Sequence, residues 1–320
     1  MKAAIITRHG PPEVLEVQDA PVPSPGPGQV RVHVRASTVC AGDVRLRRAS
    51  PFFLRAVSGG VLRPTRVRTP GMELSGTIDA LGDGVTRFRI GEAVFGSAGL
   101  NFGACAEFVC ASEAMLAPRP AMVSDAEAAT LPFGGISALY YLRAAGLAAD
   151  QRLLVYGASG SVGTAAVQLG KHLGAHVTAV CGAANAELVR GLGADVVRDY
   201  EKQDYAEPRG AYDVLFDTVG KSGIRLGLRA LKRGGVYAFS ASPLTAFVLV
   251  SLWAALTGRV RVVGGMARGG GDDLAYLTSL VEQGKFQPVI DRAYPLDNIV
   301  EAHRYVEGGH KRGNVVIAIG

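Results

Sequence analysis

The chain has 320 residues, a formal charge of +6, 48% hydrophobic and 19% charged residues, and only four cysteines, with no C-x-x-C pair. That length exceeds one domain of roughly 100–200 residues and suits two that share a cleft, while the composition excludes collagen-like and low-complexity classes. Cys40, Cys105, Cys110 and Cys181 form neither a disulfide framework nor a zinc knuckle, which fits a reducing cytosol, and the positive charge attracts anions without choosing among a phosphate-rich cofactor, RNA and acidic lipid.

Residues 3–7 are mildly apolar but shorter than the roughly 7–15 residues of a secretory core, so no export is expected. The rigid connector Pro21-Val22-Pro23-Ser24-Pro25-Gly26-Pro27-Gly28 precedes the alternating Val30-Arg31-Val32-His33-Val34-Arg35, and short strands and turns continue to about Met122. Between Asp43 and Pro70 seven arginines are interleaved with Leu46, Phe52, Phe53, Leu54, Val57 and Leu62, and no acid follows Asp43. This stretch reads as a solvated amphipathic helix packed on the core, in preference to a lid over a lipophilic substrate or a peripheral membrane contact.

After Ser124 strands alternate with amphipathic helical stretches, the pattern of βαβ units and a parallel sheet. Residues 153–156, 177–180, 214–216 and 236–239 read as buried strands. The apolar run 244–256, interrupted by Thr245 and Ser251, falls short of the roughly 20 residues that span a bilayer; within it residues 247–256 could roof the cleft, enter a subunit interface or form a plain buried helix. From about Gln287 strand character returns, ending in Asn314-Val315-Val316-Ile317-Ala318-Ile319, which is expected to rejoin the first sheet. The expected division is a β-rich domain of residues 1–122 plus 288–320 and a dinucleotide-binding domain of residues 123–287.

The most informative motif is Gly157-Ala158-Ser159-Gly160-Ser161-Val162-Gly163, which follows a strand and opens a helix. Glycines there allow a tight turn and close approach to a pyrophosphate, and the helix N-terminus offers unpaired N–H groups to the anion. An NAD-preferring site places an acid about 20 residues further on. Here the second strand ends Cys181-Gly182-Ala183-Ala184-Asn185, and the next acid is Glu187. The missing acid permits NADPH, with Asn185 and backbone N–H groups as partners, although no Arg or Lys occupies that turn and NADH stays the second option.

These residues, together with Gly10-Pro11-Pro12-Glu13-Val14-Leu15, Pro70-Gly71-Met72-Glu73-Leu74-Ser75-Gly76 and Gly91-Glu92-Ala93-Val94-Phe95-Gly96, make the chain similar to the medium-chain dehydrogenase/reductases. The resemblance is to the zinc-free quinone oxidoreductase branch that includes zeta-crystallin, with Ser161 in place of a second consecutive glycine. It implies an α/β protein, a doubly wound parallel Rossmann sheet inserted in a β-rich GroES-like catalytic domain. It further implies that Tyr200 lies near the adenosine phosphate and that Val219, Phe239 and Ser240 border the nicotinamide side.

Zinc-dependent members of the superfamily use Cys, His and Cys ligands; here Cys40 stands alone, Met72 takes the histidine position, and Leu131-Pro132-Phe133 offers no third cysteine, so no metal is expected. Relatives often carry a tyrosine two residues after the aspartate matching Asp43. Arg45 stands there and could steady an enolate oxyanion, or be a surface charge in the run Arg45-Leu46-Arg47-Arg48. Ser137 falls where relatives place a threonine near the nicotinamide, with a helix-start or packing role as the alternative. No other catalytic residue is visible, and the proton is assigned to solvent or an unidentified donor.

The resemblance implies hydride transfer from NADPH to a small lipophilic quinone or α,β-unsaturated carbonyl (enone or enoyl) substrate, by a cytoplasmic enzyme. Arg261-Val262-Val263-Gly264-Gly265 is similar to the strand that relatives extend across a homodimer. The rival is a non-catalytic NADPH-binding protein acting as an RNA-binding or membrane-associated factor, motivated by the arginine-rich stretch; nucleic acid is not the expected partner. Alcohol or aldehyde chemistry ranks below enone reduction, since no zinc would polarise the carbonyl.

Overall fold

Val30, Val32 and Val34 alternate with more exposed residues along strand β3 (Gln29–Val39), and this period of two sets the centre of the first sheet. The computed structural model describes residues 1–50, 55, 58–61, 63–240 and 244–320. Phe52, Phe53, Leu54, Val57 and Leu62 of the basic stretch therefore lie outside the described residues. The chain divides into two units, Met1–Phe133 with Gly270–Gly320, and Gly134–Gly269.

In the first unit, β1 (Lys2–Ile6) pairs antiparallel with β2 (Leu15–Asp19). The main sheet adds β4 (Glu73–Leu81), β5 (Ala93–Ser97), β6 (Phe108–Ser112) and β7 (Leu116–Pro118), then β14 (Ile290–Pro295) and β15 (Asn314–Ala318). Its order is β14-β15-β3-β4-β5-β7, with β6 also paired to β3. As expected, the last strand rejoins this sheet: β15 runs antiparallel to β3, Val315 opposite Val39.

Helix α1 (Ala41–Arg48) starts at Cys40, whose sulfur accepts from Gly42 N at 3.3 Å while the Asp43 carboxylate accepts from Cys40 N at 2.8 Å. This reciprocal cap satisfies two otherwise orphaned donors. The short helix α2 (Asp125–Ala128) packs on β3, β4 and β15.

The second unit begins within α3 (Leu131–Ala145) and carries six parallel strands: β8 (Arg152–Tyr156), β9 (His176–Cys181), β10 (Val196–Asp199), β11 (Tyr212–Asp217), β12 (Leu231–Phe239) and β13 (Val260–Val263). Their order is β10-β9-β8-β11-β12-β13. Leu153, Leu154 and Val155 are fully buried, as a strand covered by helices on both faces requires. The connecting helices are α4 (Ser161–His172), α5 (Ala186–Gly191), α6 (Ile224–Ala230) and α7 (Leu244–Thr257). Gly170 lets α4 lie against the sheet, because a Cβ there would come within 2.7 Å of Leu153 Cδ2.

The second unit is narrower than residues 123–287. Helix α2 belongs to the first sheet, and α8 (Gly271–Glu282) packs on β7 of that sheet. The remaining helix, α9 (Ile299–Glu307), packs on α1 and β15, with Ile299, Ala302 and Val306 in the first unit's core.

Candidate dinucleotide and catalytic sites

Five parallel strands of the second unit end on the residues that the sequence singles out. Gly157 follows β8, Gly182 and Asn185 follow β9, Tyr200 follows β10, Val219 follows β11 and Ser240 follows β12. The strand order reverses at β8, which has β9 on one side and β11 on the other. Open parallel sheets bind ligands outside the carboxyl ends of their strands at such a switch point.

The three glycines of the loop do different work. Gly157 has φ +78°, a conformation only glycine adopts readily, and a Cβ on it would lie 2.7 Å from Thr218 Oγ1. Gly160 has ordinary backbone geometry, and a Cβ there would meet nothing nearer than 3.6 Å. Gly163, in the first turn of α4, sits so close to the loop that its Cβ would overlap the Gly157 carbonyl oxygen and lie 2.7 Å from Ala158 Cα.

Glycine at the N-cap leaves α4 without a side-chain cap, so the N–H groups of Ser161, Val162 and Gly163 keep their positive end open. Ser161 Oγ is buried and has no hydrogen-bond partner. It lies against α3, 2.9 Å from where a Cβ on Gly134 would be, while the open N–H groups of the α4 N-terminus fit a pyrophosphate.

On the β9 side, Asn185 Nδ2 donates to Ser159 Oγ at 3.1 Å, tying the second-strand turn to the glycine loop. Tyr200 lies beside Gly182, its hydroxyl 3.6 Å from where a Cβ there would be, and is exposed. Cys181 is buried, and burial followed by the Asp199 charge pushes its thiol up to about 11.

On the β11 side the organiser is Asp217, which sequence reasoning did not single out. Its Oδ1 accepts from Val219 N at 3.0 Å and Gly220 N at 2.7 Å, and its Oδ2 from Ser222 N at 2.9 Å. Thr218 Oγ1 donates to Tyr156 O at 2.9 Å, and Ser240 Oγ donates to Thr218 O at 3.0 Å. These bonds tie Ser240 to the turn that carries Val219, whose side chain lies beside Gly157. Phe239 stands opposite Asp217 in the sheet, with its side chain buried and its ring stacked on Tyr237 at 4.1 Å. Ser137 is buried in the interior of α3, so its helix-start reading does not hold.

In the first unit, Arg45 is exposed on α1. Arg47, its neighbour in the same run, is the opposite. It is fully buried, donating to Gly10 O at 2.7 Å and to Glu307 Oε2 at 2.6 Å. Glu307 also pairs with Arg48.

A polar cluster surrounds Cys40. Asp43 accepts from Gly71 N at 2.7 Å as well as from Cys40 N. Glu73 accepts from Phe133 N at 2.7 Å and from Thr38 Oγ1. Burial pushes Glu73 up to about 7 against those hydrogen bonds, with Asp43 adding to the rise. Burial also raises the Cys40 thiol well above its usual range, and lowers Lys311, whose Nζ donates to Gly313 O.

Fold and glycine loop together define a dinucleotide-binding protein. An alcohol dehydrogenase GroES-like domain matches residues 26–123 and a zinc-binding dehydrogenase domain matches residues 192–317. The chain is 31% identical to the chloroplast envelope quinone oxidoreductase homolog of Arabidopsis thaliana, over 95% of this chain and 93% of the relative. It is 29% identical to the NADPH-dependent alkenal/one oxidoreductase of the same plant, over 99% of this chain and 79% of the relative. The solved quinone oxidoreductase of Coxiella burnetii superposes with a TM-score of 0.91 at 30% identity, covering 100% and 99% of the two chains. The chain belongs to the medium-chain dehydrogenase/reductase superfamily, in its quinone oxidoreductase branch.

The zinc that one domain description implies does not fit the donors around Cys40. Catalytic zinc needs deprotonated, borderline-soft ligands. Here a methionine, Met72, stands beside Glu73, and both carboxylates are spent on N–H and O–H donors. Among the described residues no group of three His, Cys, Asp or Glu could hold a metal ion.

Proposed function

We propose that this protein is a metal-free reductase that transfers hydride from NADPH to a quinone or an α,β-unsaturated carbonyl. The observation that carries the cofactor half is the uncapped N-terminus of α4 following a glycine loop in which Gly157 and Gly163 leave no room for a side chain. Gly157, Ser159, Gly160, Ser161, Val162 and Gly163 would hold the pyrophosphate. Cys181, Asn185 and Tyr200 would border the adenosine half, and Val219, Phe239 and Ser240 the nicotinamide half. Phe239 would contribute through its backbone, because its side chain is in the core.

No acid follows β9 until Glu187, so a 2′-phosphate meets no repulsion there. This supports NADPH over NADH. The relatives named for quinone and alkenal/one reduction support the acceptor class.

When bound, the dinucleotide supplies the hydride. The chain's own contribution is positional. The α4 dipole and glycine loop would fix the phosphates, while Asp217, by gripping the N–H groups of Val219, Gly220 and Ser222, fixes the surface that carries Val219. Arg45 and Ser137 are the candidates for steadying the developing oxyanion, with the proton coming from solvent. We further propose a cytoplasmic homodimer joined along β13, which pairs only with β12 among the described residues.

The test is isotopic. With NADPH deuterated at the transferable position, enone reduction should yield product heavier by one deuterium at the carbon β to the carbonyl. Product lacking deuterium would refute hydride transfer.

A further inference from the structure

Helix α7 is apolar on two faces and packs only one of them. Val250 and Ala254 are buried, and the Phe247 ring fills the space that a Cβ on Gly264 would need. On the other side Val248, Leu249, Leu252 and Leu256, spaced to share one helical face, are 44%, 66%, 57% and 87% exposed. No charged residue interrupts the helix. Beside it a groove of about 500 Å³ runs between α6 and α7, lined by Ile224, Leu228, Leu249, Val250, Trp253 and the cationic Arg225.

The segment that carries α6 and α7 is one-signed in sequence, and the acids Asp204, Glu207 and Asp213 that reach it are paired with Arg229 and Lys232. Residues 218–271 contain eight lysines and arginines and no aspartate or glutamate. Some are committed elsewhere: Arg229 pairs with Asp204 and Glu207, Lys232 with Asp213, and Arg261 caps α3 carbonyls. Arg225 beside the groove, and Arg233 and Arg259 beyond the C-terminal end of α7, are exposed and make no ion pair among the described residues. The last two are neighbours, because Gly234 N donates to Arg259 O at 2.7 Å.

We propose that α7 and its flanking arginines form a docking surface for an anionic lipid membrane, with the exposed leucines inserted at the headgroup boundary and the arginines on the headgroups. An apolar face flanked by unpaired arginines is what an interfacial helix presents to acidic lipid. Among the described residues no helix is long and apolar enough to cross a membrane, so the contact lies in the interface plane. A second copy of the chain fits this face less well. In a two-fold interface the patch would meet itself, and the same unpaired cations would oppose one another. A nucleic acid would use the arginines but leave the leucines in water.

The chain has a single tryptophan, and Trp253 lines the groove, so the protein carries its own reporter. The full-length protein is mixed with phosphatidylcholine vesicles with and without phosphatidylserine, and pelleting and tryptophan emission are read. The expected result is pelleting with a blue shift on the phosphatidylserine vesicles only, weakened by salt. Leu249→Glu with Leu252→Glu should abolish both signals, while Arg225→Gln and Arg259→Gln should each lower the affinity roughly five-fold. Unchanged circular dichroism and thermal midpoint show that the variants are folded.

Equal binding by the wild-type protein and the leucine variant, or no binding to either vesicle, would overturn the proposal. So would a wild-type dimer, seen without lipid by sedimentation velocity, that the leucine variant converts to monomer. Binding of single-stranded RNA that survives the leucine substitutions while vesicle binding is absent would also overturn it.

Discussion

Gly160 and Gly163 are three residues apart in one loop, yet the structure assigns them separable roles that two alanine substitutions can distinguish. At Gly163 the added methyl would overlap the Gly157 carbonyl and press on Ala158 Cα at 2.7 Å, so α4 must move away from the loop even without ligand. Overpacking of this kind costs about 1–3 kcal/mol. Gly163→Ala should therefore lower the thermal midpoint of the free protein. If the displaced loop carries the same cost into the complex, NADPH affinity should fall by roughly 5- to 150-fold.

At Gly160 the methyl meets nothing within 3.4 Å and the backbone is unstrained, so the free protein should keep its midpoint. Its methyl would instead stand where the pyrophosphate approaches the backbone, and NADPH should still bind more weakly. Differential scanning fluorimetry without nucleotide and a nicotinamide fluorescence titration read the two effects. A Gly160→Ala protein that binds NADPH as tightly as wild type would refute the placement of the pyrophosphate. A Gly163→Ala protein of unchanged midpoint would refute the packing argument.

Three further outcomes follow from other parts of the molecule. Ala183→Asp places an acid at the end of β9, and the ratio of NADPH to NADH affinity should drop by at least about ten-fold in paired titrations, since the carboxylate repels a 2′-phosphate and accepts from a ribose diol. Glu307→Ala leaves the buried Arg47 without its counter-ion and should cost about 3 kcal/mol in urea unfolding, the lower end for a broken buried pair because Glu307 is partly exposed. Glu73, raised from 4.5 to about 7, favours the folded state most when protonated. Its contribution is complete below pH ~4.5 and is lost as the pH rises towards 7. Glu73→Gln should thus gain up to about 3 kcal/mol on wild type at pH 8 and show no gain at pH 4, measured by urea unfolding at the two values.

The second unit was largely legible in the sequence because parallel buried strands are continuous apolar runs; residues 153–156 and 177–180 fall inside β8 and β9. The glycine loop was legible because its strand and helix flanks were. Asp217 was not, since a carboxylate gripping three N–H groups beyond a strand looks in sequence like any loop acid. Arg47 was hidden in an arginine run: helical geometry turns it inward between solvated neighbours, and its partner Glu307 lies 260 residues away. Helix α8 carries the same amphipathic pattern as the Rossmann helices, so nothing local told that it packs on β7 of the first sheet. The double apolar face of α7 likewise needed exposure values, because composition alone cannot separate a buried helix from a half-covered one.

The central claim is dinucleotide-dependent reduction of an electron-poor acceptor, and one titration tests it most directly. Purified protein is titrated with NADPH and with NADH by nicotinamide fluorescence, and a small quinone or an enone is then added while the 340 nm absorbance is followed. The account predicts tighter binding of NADPH and a loss of absorbance that requires the acceptor. Failure of both nucleotides to bind, or binding with no oxidation by any quinone or enone, would contradict it.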